Sequence, residues 1–181
     1  MIHHMLDLET LSTAPNAAIL QIGFARFDPL GTGVTDTFER TVSLDSCLQV
    51  GLKIDGDTFA WWLSQSEAAR RSVITDSQPL ARVLTDLNVW LGYLNLEIPE
   101  NVIWSHGAAF DVPILASAYR AYGYKEPWDH RLVRDTRTLF WLVAQRGWEK
   151  SKHETAHTAL ADAVAQVADV QSAYRWLEDR R

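Results

Sequence analysis

Two acidic residues near the start of the chain, Asp7 and Glu9, are spaced so that both carboxylates could bind the same metal ion. They follow residues 2–6 directly, and an apolar run of that kind predicts a buried strand. Side chains two residues apart on a strand lie on the same face, so both carboxylates would point the same way. Neighbouring like charges raise each other's pKa unless a cation lies between them. Hard oxygen ligands suit Mg²⁺ or Mn²⁺, and a pair of ordinary surface acids is the alternative.

A third acidic residue, Asp111, follows a loop of small residues at positions 107–109. Residues 102–105 before that loop are apolar enough to predict a buried strand. Asp111 could cap the N-terminus of the next helix, a role worth about 1 kcal/mol. The same geometry could instead deliver its carboxylate to the edge of the sheet, beside Asp7 and Glu9. Both interpretations stay open on local sequence.

A histidine and an acid near the end of the chain, His157 and Asp162, lie five residues apart. On a helix they would be about 140° apart around its axis, so they share a pocket only if the helix starts at or just before the histidine. Such a pair usually lies on a surface. Its interest comes from its coexistence with Asp7, Glu9 and Asp111.

The same region contains a competing motif, H-E-x-x-H, formed by His153, Glu154 and His157. On a helix this spacing places two imidazoles on one face for Zn²⁺, with the glutamate as general base of a metalloprotease. A third ligand would have to come from Glu178 or Asp169, neither of which has a recognisable setting. The zinc interpretation also leaves the three upstream acids without a role, so it explains less of the chain.

Periodicity predicts the elements that must position these residues. Three N-terminal strands with short connections indicate an antiparallel meander, and later segments alternate helix with strand. This order predicts an α/β domain whose mixed sheet is flanked by helices. The predicted strands are 2–6, 18–27, 35–42 and 102–105, and the predicted helices are 57–63, 66–71, 79–94, 112–122, 136–145 and 154–177.

Length and composition predict one globular domain over residues 1–181, with 47% hydrophobic residues. The single cysteine, Cys47, permits no internal disulfide and favours a reducing, cytoplasmic location. No signal peptide or membrane-spanning run is expected. The net charge of −6 argues mildly against a large basic nucleic-acid patch. Eight tryptophans leave some aromatic surface for a possible homodimer.

The order of these motifs resembles that of the DEDDh exonucleases, the DnaQ-like branch of the ribonuclease H-like fold. The motifs are D-x-E, then F-D at a strand–helix junction, then H-x-x-x-x-D. Within that family the chain is most similar to the phage exonuclease A type, a 3′–5′ exoribonuclease-like branch, through residues 7–12, 17–23 and 59–70. The resemblance spans nearly the whole chain.

The resemblance implies a five-stranded ribonuclease H-like sheet with three antiparallel N-terminal strands plus parallel strands. It implies a 3′–5′ exonuclease that releases nucleoside 5′-monophosphates from single-stranded DNA or RNA with two Mg²⁺ or Mn²⁺ ions. The implied metal ligands are Asp7, Glu9, Asp111 and Asp162, and the implied general base is His157. The implied substrate-binding residues are Thr10, Leu11, Trp62 and Phe110, the last able to stack a base.

Three classes of function therefore remain to be separated: the exonuclease, the zinc metalloprotease and an inactive nucleic-acid-binding module of the same fold. The complete set of acidic ligands argues against the inactive module. The sequence does not distinguish DNA from RNA, because recognition of a 2′-hydroxyl needs only one or two groups. The acidic balance and the absence of a basic stripe favour short or single-stranded ends over long duplexes.

Overall fold

The computed structural model of the protein describes residues 1–93, 100–151 and 158–180. The strands of these residues are β1 Ile2–Thr10, β2 Ile19–Phe27, β3 Asp36–Thr41, β4 Asn101–Ser105 and β5 Val133–Asp135. Their helices are α1 Leu44–Gln49, α2 Gly56–Ser64, α3 Glu67–Ser72, α4 Leu80–Trp90, α5 Asp111–Ala121, α6 Thr136–Ala144 and α7 Ala159–Glu178, with a 3₁₀ helix at His130–Leu132.

The five strands form one mixed sheet in the order β3-β2-β1-β4-β5. β1 pairs antiparallel with β2, and β2 pairs antiparallel with β3. β4 runs parallel to β1 on the other side, and β5 runs parallel to β4. The predicted α/β class, with an antiparallel N-terminal meander and added parallel strands, is confirmed.

Helices cover both faces of the sheet, and successive residues of β1 point to opposite layers. Leu6 packs in the hydrophobic cluster that includes the buried side chains of α4 and α5. Met5 packs in the other cluster, with side chains of α6 and α7. Because side chains alternate along a strand, Asp7 and Glu9 lie on the same side of the sheet as Met5. The sheet therefore presents both acids to the α7 layer.

The main differences between the structure and the predicted elements concern β1, α1, β5 and the start of α7. β1 continues to Thr10, so Asp7 and Glu9 lie within the strand instead of after it. The short elements α1 and β5 were not predicted, because six and three residues show no clear period. The predicted long helix was wrong at its start, since Thr158 is extended and serves as the N-cap of α7. Among the described residues, no helix has the length and apolar character needed to cross a membrane.

Candidate active site

Three carboxylates meet at the centre of the sheet. One oxygen from each of Asp7, Glu9 and Asp162 lies within 4.8 Å of the other two. β1 supplies the first two from one face, and the first turn of α7 supplies Asp162. The strand period and the position of the helix start thus bring together residues separated by more than 150 positions in the chain.

Two features hold the start of α7 over the sheet. The side-chain oxygen of Gln21 on β2 accepts a hydrogen bond from the backbone N–H of Ala159, with an N···O distance of 2.8 Å. Gly23, which pairs with Asp7, has no side chain, and a Cβ there would overlap the backbone of Ala159. The close approach of helix and strand at this point sets the position of Asp162.

Asp111 links β1 to β4 and the start of α5. One of its carboxylate oxygens accepts a hydrogen bond from the backbone N–H of Leu8 at 3.1 Å, and the other accepts one from the hydroxyl of Ser105. Asp111 is the first residue of α5, and Phe110 occupies the N-cap position without a side-chain cap. Asp111 is therefore not the N-cap of α5, and the helix-cap interpretation is wrong. Its carboxylate instead accepts hydrogen bonds from residues of β1 and β4.

Gln166 is a residue of this cluster that was not predicted from the sequence. Its side-chain amide donates a hydrogen bond to Asp7 Oδ1 at 2.8 Å, and the residue is buried. It lies four positions after Asp162 on α7, so the two side chains share a helix face. That spacing is present in the sequence, but only the packing of α7 against β1 shows that Gln166 reaches Asp7.

The carboxylates are held where burial disfavours their charged forms. Burial raises the pKa of Asp7 well above its usual value, neighbouring Asp111 raises it further, and the Gln166 bond lowers it. Burial, followed by the charges of Asp162 and Asp111, raises the pKa of Glu9 to about 7. Burial raises the pKa of Asp111 to about 6, against the lowering effect of its hydrogen bonds. A cation among these groups would relieve both burial and repulsion.

A groove of about 420 Å³ opens beside Glu9 and gathers three of the four predicted substrate-binding residues. It is lined by Leu8, Glu9, Thr10, Thr13, Asp57, Thr58, Trp61, Trp62 and Phe110. The fourth, Leu11, is buried and lines a neighbouring apolar cavity that also contacts Trp62.

The two adjacent tryptophans of this groove divide between core and surface, as adjacent aromatics on a helix usually do. Trp62 is 5% exposed, and its indole N–H donates to the backbone oxygen of Thr10 at 2.9 Å. Trp61 is 44% exposed, and the two ring centroids lie 5.1 Å apart in an edge-on arrangement. Trp62 therefore anchors the end of β1, while Trp61 offers the more exposed ring.

A second cavity, of about 390 Å³, is lined in part by Asp7, Asp162 and Gln166. Lys150 also lines this cavity, and its Nζ lies 3.5 Å from a carboxylate oxygen of the buried Asp169. His106 also lines this cavity, and its Nδ1 lies 2.8 Å from the hydroxyl of Thr136. The two cavities differ in character, because aromatic rings line the first and charged groups the second.

The predicted general base His157 lies outside the described residues, as do His153 and Glu154 of the H-E-x-x-H motif. The described chain resumes at Thr158, the extended N-cap of α7. Asp162, four residues further on, is thus the one member of the H-x-x-x-x-D motif that the structure describes.

Comparison with known proteins gives a consistent family assignment. The model of the 3′-5′ exoribonuclease Rv2179c-like domain matches residues 2–174. The exodeoxyribonuclease of Enterobacteria phage T4 is 26% identical over 129 residues, which cover 66% of this chain and 56% of that protein. The chain thus spans about half the length of this curated relative.

Solved structures share the fold at low identity. E. coli exonuclease I in complex with a dA16 oligonucleotide is 13% identical with a TM-score of 0.68, covering 98% of this chain and 42% of that one. The nuclease domain of 3′hExo, a DEDDh family member bound to rAMP, is 14% identical with a TM-score of 0.59, covering 98% and 92%. Because the family model spans nearly the whole sequence, the chain belongs to the family of the 3′-5′ exoribonuclease Rv2179c-like domain, and the predicted resemblance to DEDDh 3′–5′ exonucleases is confirmed.

Proposed function

We propose that this chain is a single 3′–5′ exonuclease domain, residues 1–181, that hydrolyses single-stranded nucleic acid to nucleoside 5′-monophosphates. The observation that carries the proposal is the convergence of Asp7, Glu9 and Asp162 within 4.8 Å, with Asp111 raising the pKa of two of them. Membership of the exonuclease family gives this convergence its chemical meaning.

The donor set fits divalent cations such as Mg²⁺ or Mn²⁺. All four groups are carboxylates, the hard oxygen ligands that these ions prefer. Their raised pKa values indicate a site that gains from a nearby positive charge. Asp7, Glu9, Asp111 and Asp162 would hold two ions, whose charges balance those of four carboxylates. Two bound divalent ions supply a more acidic water and stabilisation of charge on the leaving 3′ oxygen.

The chain's own residues would position the strand and move a proton. We assign Thr10 and Leu11 to the terminal nucleotide, and Phe110 and Trp62 to its base, with Trp61 as the exposed member of the pair. Stacking on an aromatic ring contributes about 1–3 kcal/mol per base. His157 would act as general base, because its usual pKa of about 6.5 lies close to working pH.

The names of related proteins support both RNA and DNA as substrates. The matching family model is described as an exoribonuclease, while the phage T4 relative is an exodeoxyribonuclease. We therefore propose single-stranded 3′ ends of DNA or RNA as substrates. A cytoplasmic location, expected from the lone Cys47, is part of the same proposal, and so is a homodimer, expected because some of the eight tryptophans should lie at the surface.

The experiment that tests the proposal is a gel time course on 5′-labelled single-stranded DNA and RNA with Mg²⁺, Mn²⁺, Zn²⁺ or EDTA. Asp7→Asn and Glu154→Gln serve as paired variants. We expect a ladder that shortens from the 3′ end, is lost with EDTA and with Asp7→Asn, and is kept with Glu154→Gln. Absence of cleavage with every metal would favour the inactive binding module, and stoichiometric zinc in the purified protein would favour the metalloprotease.

A further inference from the structure

A depression of about 510 Å³ lies between α5 and the segment that leads into β5. Val112, Ala116 and the buried ring of Trp128 contribute its apolar lining. Arg120, Lys125, His130 and Arg131 also line it, together with the acids Glu126 and Asp129. The depression thus combines an apolar surface with cations, and it lies outside the carboxylate site described above.

The charged residues that line this depression are mainly basic, whereas the chain as a whole is acidic. Three arginines and lysines and two acids line the depression, whereas the whole chain contains 17 and 23. A local excess of positive charge on an acidic protein favours a polyanionic ligand at that place. No basic stripe was predicted from the sequence, because acidic residues lie among the basic residues of this segment.

The ion pairs at the depression are weak enough to be exchanged. Arg120 lies 3.1 Å from Glu126, and Arg131 lies 3.9 Å from Asp129. The two arginine side chains are 66% and 79% exposed. Exposed pairs of this kind contribute about 0–1 kcal/mol, so a phosphate could replace the carboxylate at little cost.

The depression and the groove beside Glu9 both include residues at the start of α5. Phe110 lines that groove, and Val112 and Pro113 line the depression, so only the first turn of α5 separates them. We propose that nucleotides upstream of the 3′ end cross this turn and that Arg120, Lys125 and Arg131 bind their phosphates. The inference rests on the proposed function, because it takes the 3′ nucleotide to lie in the groove.

The test is the dependence of KM on substrate length, from a dinucleotide to a hexanucleotide. For the wild-type protein we expect KM to fall about tenfold over this series, which is about 1.4 kcal/mol. In Lys125→Gln/Arg131→Gln the fall should shrink below about threefold, while dinucleotide turnover stays unchanged. The slope of log KM against log salt should decrease by about 1.4, since each single-strand phosphate contact contributes about 0.7.

The matched control is Arg82→Gln/Arg175→Gln, which removes the same charge at exposed positions outside both the groove and the depression. This control should keep the length dependence of the wild-type protein. An equal loss in both double variants, or a wild-type KM that does not change with length, would overturn the inference.

A binding measurement keeps the inference testable if the protein shows no turnover. Fluorescence anisotropy with a labelled hexanucleotide in EDTA reports the depression without catalysis. We expect Lys125→Gln/Arg131→Gln to weaken binding about tenfold relative to the control variant. Equal affinities would reject the depression as a nucleic-acid site, whereas absence of hydrolysis with intact binding would reject only the proposed function.

Discussion

The side-chain amide of Gln166 fixes one oxygen of Asp7, and this contact predicts a separable effect on metal binding. Gln166→Leu removes the donor but keeps a buried apolar volume. We expect Mg²⁺ affinity to fall about 10–100-fold, as for other residues that orient metal ligands. The free energy of unfolding of the metal-free protein should fall by about 1–3 kcal/mol at most, because Asp7 Oδ1 loses its donor in a buried site.

Titration calorimetry with Mg²⁺ and urea unfolding in EDTA measure these two quantities. Gln145→Leu, at the exposed end of α6, is the matched control and should change neither. Unchanged metal affinity in Gln166→Leu, together with a large loss of stability, would show that Gln166 only supports packing.

Burial and the neighbouring carboxylates disfavour the charge of Asp7, so its replacement should separate activity from stability. Asp7→Asn removes that charge and a proposed metal ligand at once. We expect the cleavage rate to fall by several orders of magnitude while the metal-free protein becomes more stable near pH 8, because a buried charge that burial and its neighbours disfavour is gone. Quantitative gel assays and urea unfolding test both parts, and activity within about tenfold of wild type would contradict the assignment.

At the scale of elements, the closeness of α7 to β2 sets the geometry of the site. A Cβ on residue 23 would overlap the backbone of Ala159, and backbone cannot yield as a flexible side chain does. We expect Gly23→Ala to destabilise the protein by about 1–3 kcal/mol, the usual cost of overpacking. It should also weaken Mg²⁺ binding, because the start of α7 carries Asp162.

Gly56→Ala is the control for this change, since nothing lies within 4 Å of a Cβ at the first residue of α2. Alanine there should leave the metal affinity unchanged and keep or raise the stability. Urea unfolding and calorimetry on both variants distinguish a local clash from a general effect of removing glycine. Equal behaviour of the two variants would show that the closeness at residue 23 is unimportant.

The same contacts explain which parts of the site could be predicted from the sequence. The shared face of Asp7 and Glu9 follows from the period of a strand alone. The start of α7 cannot be predicted in this way, because the helical sequence pattern continues upstream of it. A hydrogen bond to Gln21, 138 residues earlier in the chain, helps to hold the actual start. The interpretation of Asp111 was open for a similar reason, since its partner Leu8 lies 103 residues earlier.

At the scale of the whole molecule, buried groups whose pKa values are shifted in opposite directions make stability depend on pH. Glu9 and Asp111 have pKa values raised to about 7 and about 6 in the folded protein. The folded state therefore binds more protons than the unfolded chain, and this contribution to stability is lost as pH rises from about 4 to 7. The buried His4 acts in the opposite sense, because burial lowers its pKa to about 4. Its contribution is lost as pH falls from about 6.5 to 4.

Because the two effects oppose each other, the carboxylate contribution must be isolated by difference. We expect the melting temperature of Glu9→Gln, minus that of wild type, to increase from pH 5 to pH 8 in EDTA, since His4 is common to both proteins. With Mg²⁺ the wild-type melting temperature should rise most near pH 8 and little near pH 5, where protons already occupy the carboxylates. Circular dichroism melts at four pH values test this. A metal-induced rise that is the same at pH 5 and pH 8 would show that protons and metal do not compete for these carboxylates.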